Sequence, residues 1–147
     1  MYIMEIDKEK RSMEYKVYQV TLTDADVDKV NAEGHNAVPK HYRNLNLSMA
    51  FGKTDDEKRA MFAEAWSEGD YGAAVATVWA RNLEEVFAVG NGMGEQDRLE
   101  KHSQYMKSVS VGDVVRDEDG KLHLVDSTGF LALDYQGAVN RGEMWTA

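Results

Sequence analysis

The sequence predicts an α+β fold: a small, mainly antiparallel sheet with two to four helices packed on it. Three observations carry this. Apolar and polar residues alternate at Glu14–Leu22. Asp119-Gly120 and Asp126–Gly129 place turn signals between apolar runs in the last third of the chain. An amphipathic, capped helix is written at Lys53–Gly69. Alternation with a period of two suits a pleated strand, and Asp-Gly between apolar runs is a hairpin signal.

Met1–Ser12 reads as a loose arm or short strand, so residues 1–13 are expected to be an extension and residues 14–147 a single domain. Glu14–Leu22 is the first strand, with Tyr18, Val20 and Leu22 on one face and Tyr15 and Val17 on the other. Tyr and Val fit a pleated surface well. Thr23 is expected to cap a helix whose early acids suit the positive helix start. Val27 and Val30 are its expected buried side, and Gly34 its stop. His35–Val38 reads as a turn, and Pro39 opens a second helical segment through Asn46, since proline fits a first helical position.

Thr54 and Glu57 then form a capping box, in which each side chain takes the other residue's amide. Met61, Phe62, Ala65 and Trp66 supply the apolar stripe of that helix. Ala73–Ala80 reads as a central strand, with Trp66 and Trp79 both expected in the core. Asn82 and Glu85 repeat the capping pattern, and Leu83, Val86 and Phe87 are expected to pack inward. Gly90–Gly94 ends this helix, and a polar stretch runs to about Met106. Val109–Val115, Lys121–Val125 and Phe130–Leu133 are the remaining strands; Tyr135–Trp145 is at best weakly helical.

Composition bounds the function. Among 147 residues, 26 acids face 17 bases, for a formal charge of -9. Phosphate backbones and anionic lipids need clustered Lys and Arg, so neither direct nucleic-acid binding nor membrane docking is expected. No stretch approaches the about 20 apolar residues of a membrane span, and Met1–Met13 lacks the apolar core of a secretory signal. The chain has no Cys, which removes disulfides, thiol chemistry and Cys-held zinc. A cytoplasmic setting and a basic protein partner are the expectations.

Candidate chemistry has a structural explanation at each position. A phosphate loop needs glycines between a strand and a helix start, whereas Gly90–Gly94 follows a helix. His35, His41, His102 and His123 lack zinc-helix spacing, although His35 and His41 flank a turn and can meet. Ser108 and Ser110 have no nucleophile elbow around them. With Asp113, they are expected to bond the backbone of a tight turn at Gly112. Asp55/Asp56 and Glu84/Glu85 sit at helix starts and Asp117–Asp119 at a hairpin turn, where acids are at home. The sequence calls for no cofactor and no metal. An acidic DNA mimic is a further alternative, weakened by the interspersed bases.

The stretches Asn82–Phe87, Gly90–Gly92, Ser108–Val115 and Val125–Phe130 resemble a set of small uncharacterised proteins of bacteriophages and mobile elements. These share a Leu-Glu-Glu-x-Phe helix, a Ser-x-Ser-Val-Gly-Asp-Val turn and a final Gly-Phe. The resemblance covers about residues 74–133 and implies a phage accessory protein made in a bacterial host cell. The expected function is therefore non-enzymatic binding and modulation of a host protein. The alternative is a small enzyme or ligand binder with a pocket near Gly90–Gly94 and the Ser108–Asp113 element. The candidate contact residues for either are Asn91, Ser108, Ser110, Asp113, His123 and Asp126.

Overall fold

The structure, a computed structural model, describes residues 12–133. The expectations for residues 1–11 and for Tyr135–Trp145 lie outside them. The α+β class is as expected: four α-helices pack with a six-stranded, wholly antiparallel sheet.

Strand β1 is Met13–Tyr18, so it takes in Met13 and stops well before Leu22. It stops because Gln19 turns its fully buried side chain into a loop rather than along a strand. Helix α1 (Asp24–Glu33) starts at the expected Thr23 cap, closed reciprocally by Asp26. It corrects one expectation: no residue of α1 is buried, and Val27 stands exposed. Its two valines make a stripe too narrow to hold a helix against a core. Gly34 ends it with φ 101° and ψ 169°, a mirror-extended conformation rather than a left-handed helical one. Helix α2 (Pro39–Ser48) and helix α3 (Asp55–Ser67) follow, α3 with both arms of the Thr54/Glu57 box formed.

Strand β2 is Ala76–Ala80, helix α4 Leu83–Gly90 and strand β3 Leu99–Lys101. Strand β3 was not expected, because three residues carry no period. Strands β4 (Val114–Arg116), β5 (Leu122–Asp126) and β6 (Gly129–Leu133) form the expected meander. Residues 109–113, expected as the first part of its leading strand, are instead loop and turn, because Asp113 folds back onto the Ser110 amide. The sheet order is β3-β2-β1-β4-β5-β6, which places β1 centrally between β2 and β4.

The sheet is covered diagonally. On one face, α4 and the chain around Val109 pack on Tyr15, Val17, Ala76, Val78 and Val115. On the other, α3 brings Phe62 and Ala65 onto Tyr18, Val114, Leu122, Leu124 and Leu131. Apolar residues on both faces of β1 predicted this double cover. Trp79 corrects it locally. Trp79 pairs with Glu14 in register, on the face opposite Ala76, Val78 and Ala80, and is only half-buried. Trp66 is also half-buried, but it stacks edge-on against Tyr18 at 5.4 Å. Phe87 is a further correction: it is exposed, and Val86 and Val89 take the inward face of α4. Residues 86 and 89 lie one turn apart, whereas 87 is rotated about 100° from 86.

Candidate functional site

The Ser108–Asp113 element is a knot in which three parts of the chain are tied. Asp113 is 3% exposed, and its Oδ2 accepts the Ser110 amide at 2.9 Å and Gln19 Nε2 at 3.0 Å. Gln19 Nε2 also donates to the carbonyls of Lys107 and Ser108, while its Oε1 accepts the Lys107 amide. Gly112 has φ 98°, as its position between two apolar pairs predicted. Its carbonyl accepts the Tyr71 hydroxyl at 2.7 Å and Asn44 Nδ2 at 3.3 Å. Its amide donates to Val125, whose own amide donates to the Asp113 carbonyl. A Cβ at Gly112 would lie 3.1 Å from Asn44 Nδ2. Gly112→Ala is expected to lower stability by about 1–3 kcal/mol through backbone strain, read as a fall in melting temperature. Lost partner binding at an unchanged melting temperature would make the element a contact surface instead.

Burial pushes the Asp113 carboxyl up to about 6, against the Ser110 amide, the Gln19 amide and the Lys107 charge, which pull it down. The paired acids offered no such group; the single acid of the turn does. Ser108 and Ser110 are exposed. No histidine meets these serines among the bonds of the described residues: His102 is engaged with Thr77 at 2.8 Å and His123 with Asp117 at 2.9 Å.

The other expected contact residues are also tied into the fold. Asn91 Nδ2 donates to the carbonyls of Phe87 and Val109, fastening the end of α4 to the loop. There Gly90 is needed for closeness, since a Cβ would come within 2.4 Å of Val109 Cγ2. His123 pairs with Val115, which puts it on the α4 side of the sheet, where its bond to Asp117 closes the β4–β5 hairpin. Asp126 holds Lys58 of α3 at 2.9 Å, both side chains nearly buried. The structure thus gathers Asn91, Ser108, Ser110 and Asp113 around one loop, while His123 bonds Asp117 and Asp126, next to the Val125 that the loop binds, turns its side chain to Lys58.

Four arrangements were not expected or only partly so. Lys16 Nζ and His102 Nε2 both sit 2.8 Å from Thr77 Oγ1. This has the distances of an activated hydroxyl, but Thr77 is 1% exposed, so the hydroxyl serves to fix the two longer side chains. Arg43 forks onto Asp70 with two bonds of 2.7 Å. His35 Nδ1 and His41 Nε2 meet at 3.0 Å, as the turn between them allowed; among the described residues no cluster of three metal-ligating side chains occurs. A cleft of about 350 Å³ opens beside Gly94, between Arg81, just before α4, with Glu85 on α4, and the Glu95–Arg98 segment. Its charges are largely paired, Arg81 with Glu85 at 3.0 Å and Arg98 with Glu95 at 3.4 Å. It takes in neither Asn91 nor the Ser108–Asp113 loop. No helix among the described residues is long and apolar enough to cross a membrane.

No family model, curated protein or solved structure matches this chain.

Among the described residues, the two most exposed large apolar side chains lie elsewhere, at the end of α2. Tyr42 and Met49 are seven residues apart, two helical turns, and so share a side of the helix. Tyr42 is 45%, Met49 61% and Phe51 71% exposed. Leu47 and Ala50, between them in sequence, are buried. The corner is anchored by its small and inward residues while its largest apolar groups face out. Its signal in the sequence was Met49–Phe51 outside any helical stripe, directly before the Thr54 cap.

Proposed function

We propose that this chain is a non-enzymatic accessory protein of a phage or mobile element that binds and modulates a host protein through the Tyr42–Met49–Phe51 corner. The single observation that carries this is the exposure of a Met and a Phe at a turn whose neighbours are anchored. Exposed apolar clusters rimmed by polar residues mark interaction sites, and aromatic and Met side chains are typical anchors of such contacts. The resemblance of Ser108–Val115 and Val125–Phe130 to phage and mobile-element proteins supports the setting. The polar atoms of those segments hold the fold, which leaves the binding role to another surface.

The test is affinity capture from bacterial lysate with the full chain and with Met49→Ser/Phe51→Ser. Both positions are exposed, so the double variant is expected to melt within about 2 °C of the parent while losing the captured protein. Capture that survives the double substitution overturns the proposal. The cleft beside Gly94 favours a second reading, a small-ligand binder, because its size falls in the usual range for such sites. Capture or ligand uptake that depends on Arg81 and Arg98 rather than on Phe51 would select it.

A further inference from the structure

The charges around the α2 corner bear on what kind of partner covers it, an inference that rests on the binding role proposed above. We infer that the corner takes a basic protein surface centred on apolar side chains, such as a Lys- and Arg-rich amphipathic segment. Immediately past Phe51, the first turn of α3 presents Asp55, Asp56 and Glu57, all exposed, against Lys53 and against Arg59, which pairs with Asp56 at 2.9 Å. The Asp56 side chain is 94% exposed even with Arg59 beside it.

Along α2 itself the cations are already matched. Lys40 pairs with Asp26 at 3.3 Å, and Arg43 is forked by Asp70. Arg43, next to Tyr42, also lies in the field of Glu64 and Glu68 from α3. At the Phe51 end Asp55, Asp56 and Glu57 face Lys53 and Arg59. At the Tyr42 end Asp26, Asp70, Glu64 and Glu68 face Lys40, Arg43 and the Lys107 charge felt by His41. Acids therefore exceed cations by a small margin at each end of the apolar corner. A basic partner gains from that field on approach and in place. A second copy of this chain would bring the same acids against themselves, and an anionic bilayer would be repelled in the same way. A standard interface covers about 800 Å² on each partner, so three side chains form the centre of the contact and the surrounding acids its rim.

The experiment titrates the isotope-labelled full chain with three amphipathic peptides of equal length and equal Leu content. Their polar positions are filled by Lys, by Ser or by Glu, and binding is followed by amide shifts. The Lys peptide is expected to bind tightest, with the largest shifts at Tyr42, Met49 and Phe51. Its affinity should fall roughly tenfold between about 50 and 300 mM salt. Phe51→Ser should weaken it at least tenfold, and Asp55→Asn/Asp56→Asn, which spares the Thr54/Glu57 box, about threefold to tenfold. A Lys peptide that binds no better than the Glu peptide, or shifts that map away from the corner, overturns the inference. So does a dimer in sedimentation that Phe51→Ser dissolves, or binding of the parent chain to anionic vesicles. Any of these with Phe51-dependent lysate capture intact would leave the binding role standing and remove only the basic partner. Loss of both would remove the two together.

Discussion

Phe62→Ala is expected to cost about 3–5 kcal/mol, the range for emptying a large aromatic from a core. Phe62 lies on α3, is 1% exposed, and sits 5.5 Å from the rings of both Trp66 and Tyr71. Its cluster includes Leu122, Leu124 and Leu131 from the β5–β6 half of the sheet and Leu47 from α2. Removing the ring leaves a cavity where α2, α3 and the sheet meet, with neighbours on three elements that cannot all move in. Domains of this size are stable by about 5–15 kcal/mol, so roughly a fifth or more of the total is at stake. Urea unfolding followed by Trp fluorescence measures it. A cost under about 1 kcal/mol would mean that α3 does not pack on this face. The sequence places such a loss at Trp79, expected in the core; Trp79 is only half-buried, and that is what moves the loss to Phe62.

Acidification from pH 7.5 to 4.5 is expected to stabilise the parent chain by about 2 kcal/mol relative to Asp113→Asn. In the folded chain burial raises the Asp113 carboxyl to about 6, above the usual unfolded value of about 3.9. Between these values the folded state binds a proton that the unfolded state does not. Stability therefore rises as pH falls through 6 and levels off below about 4. Asn places a carbonyl oxygen where Oδ2 accepts from Ser110 and Gln19, and it does not titrate. Other groups act on both proteins alike. His41 is held below its usual value by burial, by His35 and by Lys107, and opposes the trend in the same range. Asp26, Glu57 and Glu85, lowered mainly by backbone amides, lose their contributions only in stronger acid. Paired urea titrations at the two pH values isolate Asp113. A constant difference between parent and variant would show that the carboxylate stays ionised in its knot.

What was legible in the sequence was local. The Thr54/Glu57 box, the Thr23 cap and the Asp117–Gly120 turn are each set by residues three or four apart, and each formed where expected. At Asn82 only the cap formed, because the Glu85 carboxylate takes the Arg81 amide and guanidinium instead of closing the expected box. The positive φ of Gly112 was readable because apolar pairs on both sides forced a change of direction. What was not legible depends on partners far away in the chain. Gln19 looked like part of an alternating strand, and only Lys107, Ser108 and Asp113 give it a reason to leave one. The face of Trp79 depends on where α3 and α4 land. The candidate contact residues were chosen as polar groups at turns, and the same hydrogen-bonding ability lets the fold consume them, as with Asn91 and Asp113.

The central place of β1 has a consequence for how the chain reaches its fold. One neighbour of β1 is β2, and the other is β4, met through pairs such as Lys16 with Arg116, about 100 residues apart in sequence. During synthesis β1 emerges long before β4 and waits with one edge unpaired, while the β4–β5–β6 meander forms among near neighbours once it is made. Closing so long a segment is the entropically costly event, and nothing local speeds it. Until then Tyr15, Val17 and Tyr18 face water on a bare strand edge, the state in which a nascent chain is most open to pairing with the wrong strand. The mixed charges of β1 itself, Glu14 and Lys16 between its apolar residues, stand where a gatekeeper against that mispairing would have to be.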